Sequence, residues 1–302
     1  MSEPIPSGTW LPPSADLPTY RVSLAAAWAR GELHAIGGDA GDGSPPTGSH
    51  DVFDPSTGVW ASGLALPTAR SSAAVTVVGS DIYVIGGFTW TAGGSRQPLA
   101  SNEMYDHSSG TWQTRAPMPT PRGLAAIGEI DGLVYVVGGQ APGSCDLNQV
   151  YDPDADHWAP AAPLPSARAG MAAGVVESGL YLCGGSGDGE KVLDMLQLYD
   201  PVKDAWSTLP PMPTARWLAA GCDAQGLVFA LGGSSYKAEV PMTTNEAYDP
   251  RKGVWLTGPP IPPTDINWSV AAGGETGTKG GAVHLLAGTV EGTVENLVYE
   301  LS

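Results

Sequence analysis

The stretch Asp81-Ile82-Tyr83-Val84-Ile85-Gly86-Gly87 decides how this chain is read. Its apolar residues are β-branched or aromatic. The run is too short, and too sharply bounded by Gly79-Ser80 and the glycine pair, to be a helix. Working outward, residues 73–78 form a similar run before the turn. Asn102-Glu103-Met104-Tyr105 and Thr111-Trp112-Gln113 follow as two more, parted by the turn residues 106–110. Four short strands in an up-and-down order result.

That unit recurs. A glycine pair closes an apolar run at Gly37-Gly38, Gly86-Gly87, Gly138-Gly139, Gly184-Gly185 and Gly232-Gly233, with Ala287-Gly288 as a degraded sixth. The steps are 49, 52, 46, 48 and 55 residues. An aromatic-acid turn follows each pair, at Phe53-Asp54-Pro55, Tyr105-Asp106-His107, Tyr151-Asp152-Pro153, Tyr199-Asp200-Pro201 and Tyr248-Asp249-Pro250, and partially at Tyr299-Glu300. Seven residues beyond each complete aromatic stands a tryptophan: Trp60, Trp112, Trp158, Trp206 and Trp255. A fixed period near 50 residues is the mark of a repeat architecture.

The glycine pair, the Tyr-Asp-Pro turn and the tryptophan at fixed spacing resemble the kelch repeat, and the resemblance covers essentially the whole chain. It implies an all-β fold: a six-bladed kelch-type β-propeller of four-stranded antiparallel blades. A lone blade cannot cover both of its faces. Radial stacking covers them and leaves only short edges. Expected blades run over 19–66, 67–118, 119–164, 165–212, 213–261 and 262–302. The last lacks a tryptophan strand after Tyr299, whereas Gly8-Thr9-Trp10 is such a strand without its first three. Residues 5–14 should therefore complete the sixth blade beside residues 296–301.

Composition narrows function by exclusion. The formal charge is −17, and 15% of residues are charged. An acidic chain of this kind is a poor partner for nucleic acid or an anionic membrane surface. No apolar run approaches the ~18 residues of a membrane helix. Neither a leader nor a disulfide framework is legible around Cys145, Cys183 and Cys222, which fits a cytoplasmic, monomeric protein.

In an up-and-down blade the 1–2 and 3–4 turns share one end, and the 2–3 and 4–1 loops the other. The first set is tight. The second set (39–49, 88–101, 140–147, 186–194 and 234–244) is long and dissimilar, which is where binding residues collect on a rigid scaffold. Just before the inner strands lie Arg21, Arg70, Arg122, Arg168 and Arg216, while the sixth unit reads Thr264-Asp265-Ile266-Asn267-Trp268. A ring of guanidiniums at the channel mouth would hold a carboxylate bidentately. The same residues could equally brace the blades by pairing with aspartates or backbone carbonyls. Arginines at this place in kelch domains that bind acidic motifs resemble anion contacts. The expected partner is an acidic peptide or protein, or an anionic small molecule. The aromatics of these loops, Tyr20, Phe88, Trp90, Trp217, Tyr236 and Trp268, with Asn267, complete the candidate ligand-binding set.

The alternative is an enzyme. Some kelch-like propellers isomerise acidic sugars or rearrange small metabolites, so the resemblance also admits an isomerase or a cyclase or lyase acting on an anionic metabolite in the same pocket. Its acid–base candidates are Asp265 and Tyr20. His34 and His284 fall in units one and six, neighbours in a closed ring, and were they to share a site they would join that set. Both stand where other units carry Tyr or Phe, which favours packing. No cluster has zinc-ligand spacing along the chain, and no metal or cofactor is expected. The segment Gly273-Gly274-Glu275-Thr276-Gly277-Thr278-Lys279-Gly280 fails the phosphate-loop pattern and reads as a long hairpin loop.

Overall fold

The computed structural model describes residues 3–5, 8–91, 94–187, 191–235, 242–262, 266–276, 280–289 and 292–301. Among them the regular structure is entirely β, and no helix is long and apolar enough to cross a membrane. Six four-stranded antiparallel meanders form the blades of a propeller. Their inner strands are Ala25–Ala29, Ala74–Val78, Ala126–Ile130, Ala172–Val176, Ala220–Ala224 and Ile266–Thr276. The outer strand of the sixth blade is Gly8–Trp10, paired antiparallel with Val294–Leu301 so that Trp10 opposes Tyr299. The ring thus closes as the lone tryptophan strand implied. The N-terminal segment does more than expected: Glu3–Pro4 adds a fifth, parallel strand to blade five, opposite Leu256 and Thr257.

Hydrophobic clusters lie between blades, as the stacking argument requires. One cluster joins Tyr83, Ile85 and Met104 of blade two to Val134, Val136, Tyr151 and Trp158 of blade three. At the closure, Leu17, Leu33, Phe53 and Trp60 pack with Leu286 and Val294 of blade six.

Two chains of hydrogen bonds run around the ring and explain the repeat's signature residues. The outer chain is made by indoles. Trp60, Trp112, Trp158, Trp206 and Trp255 each donate through Nε1 to a carbonyl of the preceding blade's exit, that of Ala15, Leu64, Ala116, Ala162 and Pro210, at 2.8–2.9 Å. Trp10 does the same to Pro259 at 3.2 Å. The inner chain is backbone. Ser72 donates to the Ser23 carbonyl (2.7 Å), Leu124 to Ser72 (3.0 Å), Gly170 to Leu124 (3.0 Å) and Leu218 to Gly170 (2.8 Å). These residues share a left-handed backbone, including Leu124 at φ 53° and Leu218 at φ 52°. That conformation strains a leucine, and the interblade bond holds it in place.

The glycine pair has a steric cause. At Gly37, φ is +65° and a Cβ would sit 2.5 Å from the Arg70 carbonyl oxygen of the next blade. At Gly38, φ is +97° and a Cβ would sit 2.7 Å from the Val22 carbonyl oxygen. Only glycine admits the neighbouring backbone this closely.

Candidate ligand-binding site at the channel mouth

The five arginines expected at the mouth lie inside the blades, 0–2% exposed. Each guanidinium reaches a carbonyl of strand two in its own blade, or for Arg168 the glycine directly after it: Ala35, Val84, Val136, Gly184 and Ala230 accept at 2.8–2.9 Å. Each also reaches the second residue of strand three. Arg21 pairs with Asp51 (2.7 Å), Arg70 with Glu103 (2.9 Å) and Arg216 with Glu246 (2.7 Å). Arg122 and Arg168 meet the amide oxygens of Gln149 and Gln197, each at 2.5 Å. Burial pulls Arg70, Arg122 and Arg168 down to about 10. These side chains are strand staples, and the ligand-binding role expected of them is corrected accordingly. The sequence held a signal for this. Blade six lacks the arginine, and there the equivalent position, two residues before the aromatic of strand three, is Leu297, apolar and fully buried.

A cavity of about 430 Å3 opens where the inner strands begin, on the long-loop end. Its wall is built from small residues and backbone, among them Ala25, Ala73, Ala125 and Ala219, with the left-handed Ser23, Ser72, Leu124, Gly170 and Leu218 at the rim. Trp90, Trp217, Arg96 and Asp39 supply the large and charged groups of the lining.

The connection 88–101 organises this rim, and it is more than a loop. Phe88–Trp90 and Arg96–Pro98 form a two-stranded hairpin with Arg96 opposite Trp90 and Pro98 opposite Phe88. Alternation along a strand puts Phe88, Trp90, Arg96 and Pro98 on one face. The Arg96 guanidinium lies 3.7 Å over the Phe88 ring and 5.8 Å from Trp90. It also donates to the Ser72 hydroxyl at 3.3 Å. Trp90 bridges to blade one by donating to the Gly43 carbonyl at 3.2 Å. Arg96 is exposed, unlike the five staples, and sequence reasoning missed it because it stands outside the repeated positions.

The other candidates are placed as follows. Phe88 is 3% exposed and packs over Gly123 of the next blade, so it supports Arg96 without facing the cavity. Trp217 lines the cavity. Tyr20 packs against the Leu17–Leu24–Phe53 cluster and does not itself line the cavity, which removes it from acid–base work there. Asn267 and Trp268 fall in the inner strand of blade six beside a register shift between Ile266 and Trp268. Tyr236 and Asp265 lie outside the described residues. His34 and His284 share no site. His284 stacks on Trp28 of blade one with ring centroids 4.5 Å apart and meets Asn296 Oδ1 at 3.2 Å, whereas His34 faces blade two.

Comparison with known proteins agrees with this architecture. Residues 21–233 match the family described as the KLHDC2/KLHL20/DRC7 Kelch-repeats domain. Kelch-like protein 35 of Mus musculus is 36% identical over 111 residues, which is 36% of this chain and 18% of that protein. Kelch-like protein terF of Aspergillus terreus is 29% identical over 145 residues, 46% of this chain and 31% of that protein. The chain therefore matches less than a third of the length of either relative. Among solved structures, YjhT superposes with a TM-score of 0.80 at 15% identity, covering 95% of this chain and 96% of its own.

Proposed function

As the chain belongs to the kelch-repeat family, whose propellers typically mediate protein binding, we propose that it is a binding propeller that takes an acidic peptide segment or anionic ligand at the long-loop mouth of its channel. The observation that carries this reading is Arg96. It is an exposed cation held at the rim of a roughly 430 Å3 cavity, beside Trp90 and Trp217. A guanidinium kept over an aromatic face retains its outward N–H groups for a carboxylate and loses little freedom on binding. The alanine wall and the two indoles would cover an apolar neighbour of that carboxylate, in the manner of interface anchors. Asp39, also in the lining, disfavours a second acidic group on that side.

The test is a thermal-shift screen of short acidic peptides and small carboxylates, followed by titration of the best ligand. Arg96→Ala, Trp90→Ala and Trp217→Ala should each weaken it at least about tenfold, with unfolding unchanged. Equal binding by the amide-substituted ligand, or by Arg96→Ala, would overturn the reading.

A further inference from the structure

Three of the five histidines, His34, His50 and His107, meet at one interface, that between blades one and two. Each breaks the repeat. His34 stands where units two to four have tyrosine and unit five phenylalanine. His50 stands where units two, three and five have asparagine. His107 stands where units one, three, four and five have proline. Glu32, on the same strand as His34, completes the group: ligand-capable atoms of Glu32, His34 and His107 lie within 4.8 Å of one another.

The hydrogen bonds set the tautomers. The Leu64 carbonyl only accepts, so His50 Nδ1, at 3.2 Å, carries the ring proton. His50 Nε2 is then an acceptor, and His34 Nδ1 donates to it at 2.9 Å. This leaves His34 Nε2 as a lone pair, buried and without a hydrogen-bond partner. His107 Nδ1 donates to the Ser80 carbonyl at 2.8 Å, so in the neutral ring the lone pair is on His107 Nε2, 4.0 Å from Glu32 Oε2. Burial first, then the neighbouring His50 and His107, push the His34 imidazole down to about 3, and burial pushes His50 down to about 4. Lone pairs converging with a carboxylate repel one another unless a cation lies among them.

We propose that Glu32, His34 and His107 form a binding site for a divalent transition-metal ion of the zinc class, at the end of the propeller opposite the channel mouth. Two neutral imidazoles and one carboxylate are a donor set for zinc and its neighbours, and not for calcium or magnesium. The bonds from His34 to His50 and from His107 to Ser80 are the outer contacts that orient ligating imidazoles. Access runs past Glu32 and His107, whose side chains are 41% and 10% exposed. The side chains need to close by roughly an ångström to reach metal–nitrogen distances of about 2.0–2.1 Å. A water would fill the fourth position.

For the three histidines the repeat itself supplies substitutions that the fold accepts elsewhere. Zn2+ and Co2+ are titrated by calorimetry into the full-length, tag-free chain. One ion per chain is expected, with tetrahedral Co2+ absorption and a raised melting temperature. His107→Pro, His34→Tyr and Glu32→Gln should each lower Zn2+ affinity at least about tenfold, and His50→Asn about 10–100-fold as an orienting partner. In the wild-type chain, nitrogen NMR should show the Nε2 atoms of His34 and His107 shifting on Zn2+ addition while both Nδ1 atoms stay protonated. No binding by the wild type, binding by His107→Pro at wild-type affinity, or unmoved Nε2 resonances would each overturn the site.

Discussion

At the scale of single residues, the arginine staples show how one pattern serves two readings. Five equivalent arginines before five inner strands look the same in sequence whether they face a ligand or a strand. The deciding information lies about 30 residues away, at Asp51, Glu103, Gln149, Gln197 and Glu246, which touch the guanidiniums only after the meander folds. The pairs differ in kind, and this gives a test. Arg216→Met leaves Glu246 as a buried, uncompensated carboxylate and should cost about 3–5 kcal/mol in urea unfolding. Gln197→Glu gives the buried Arg168 a carboxylate in place of an amide oxygen and should raise stability by roughly 1 kcal/mol. His284 supplies a pH dependence. Burial lowers its affinity for a proton below the ordinary 6.5, opposed by Asn296. The unfolded chain therefore binds more protons, so this contribution is intact above about pH 6.5 and is lost as pH falls below it. The fall in unfolding free energy between pH 7.5 and 5 should be shallower in His284→Phe than in the wild type.

Elements were legible in proportion to their repetition. The second strand of blade two, Asp81–Ile85, has the expected bounds because alternation, turn and glycine pair all agree there. The hairpin Phe88–Trp90 with Arg96–Pro98 was not legible: each arm has three residues, one arm holds a proline, and among the described residues no other unit repeats it. Length marked the connection as unusual, but its shape came only with the fold. The hairpin stands away from the four-stranded meander of its blade. Replacing residues 89–97 with a short glycine linker should leave far-UV circular dichroism nearly unchanged. Ligand binding at the mouth should be abolished, because Trp90 and Arg96 leave together. A variant that binds normally would show that the hairpin is ornamental.

At the scale of the molecule, six repeats become a ring through residues that break the repeat. Trp10 was readable as a displaced outer strand because its partners are missing on its own side. The parallel strand Glu3–Pro4 carries no strand pattern and was unreadable. The same holds for Glu32, His34, His50 and His107, which belong to two units and meet only when blades stack. Removing residues 1–14 exposes the edge at Leu301 and strips Ile5 and Trp10 from their packing, at a cost on the order of 5 kcal/mol. Guanidinium unfolding of the truncated chain measures it, and an unchanged midpoint would refute the closure.

The pairing of Gly8–Trp10 with the strand that ends at Leu301 also orders events during synthesis. Gly8–Trp10 finds its partner about 290 residues later in the chain. At elongation rates of about 5–20 residues per second, it waits roughly 15–60 s as an unpaired edge with an exposed indole. Blades one to five can form while it waits, but the ring stays open until Val294–Leu301 has emerged. Chaperone capture during that interval should centre on Ile5 and Trp10, and should end when the last strand emerges.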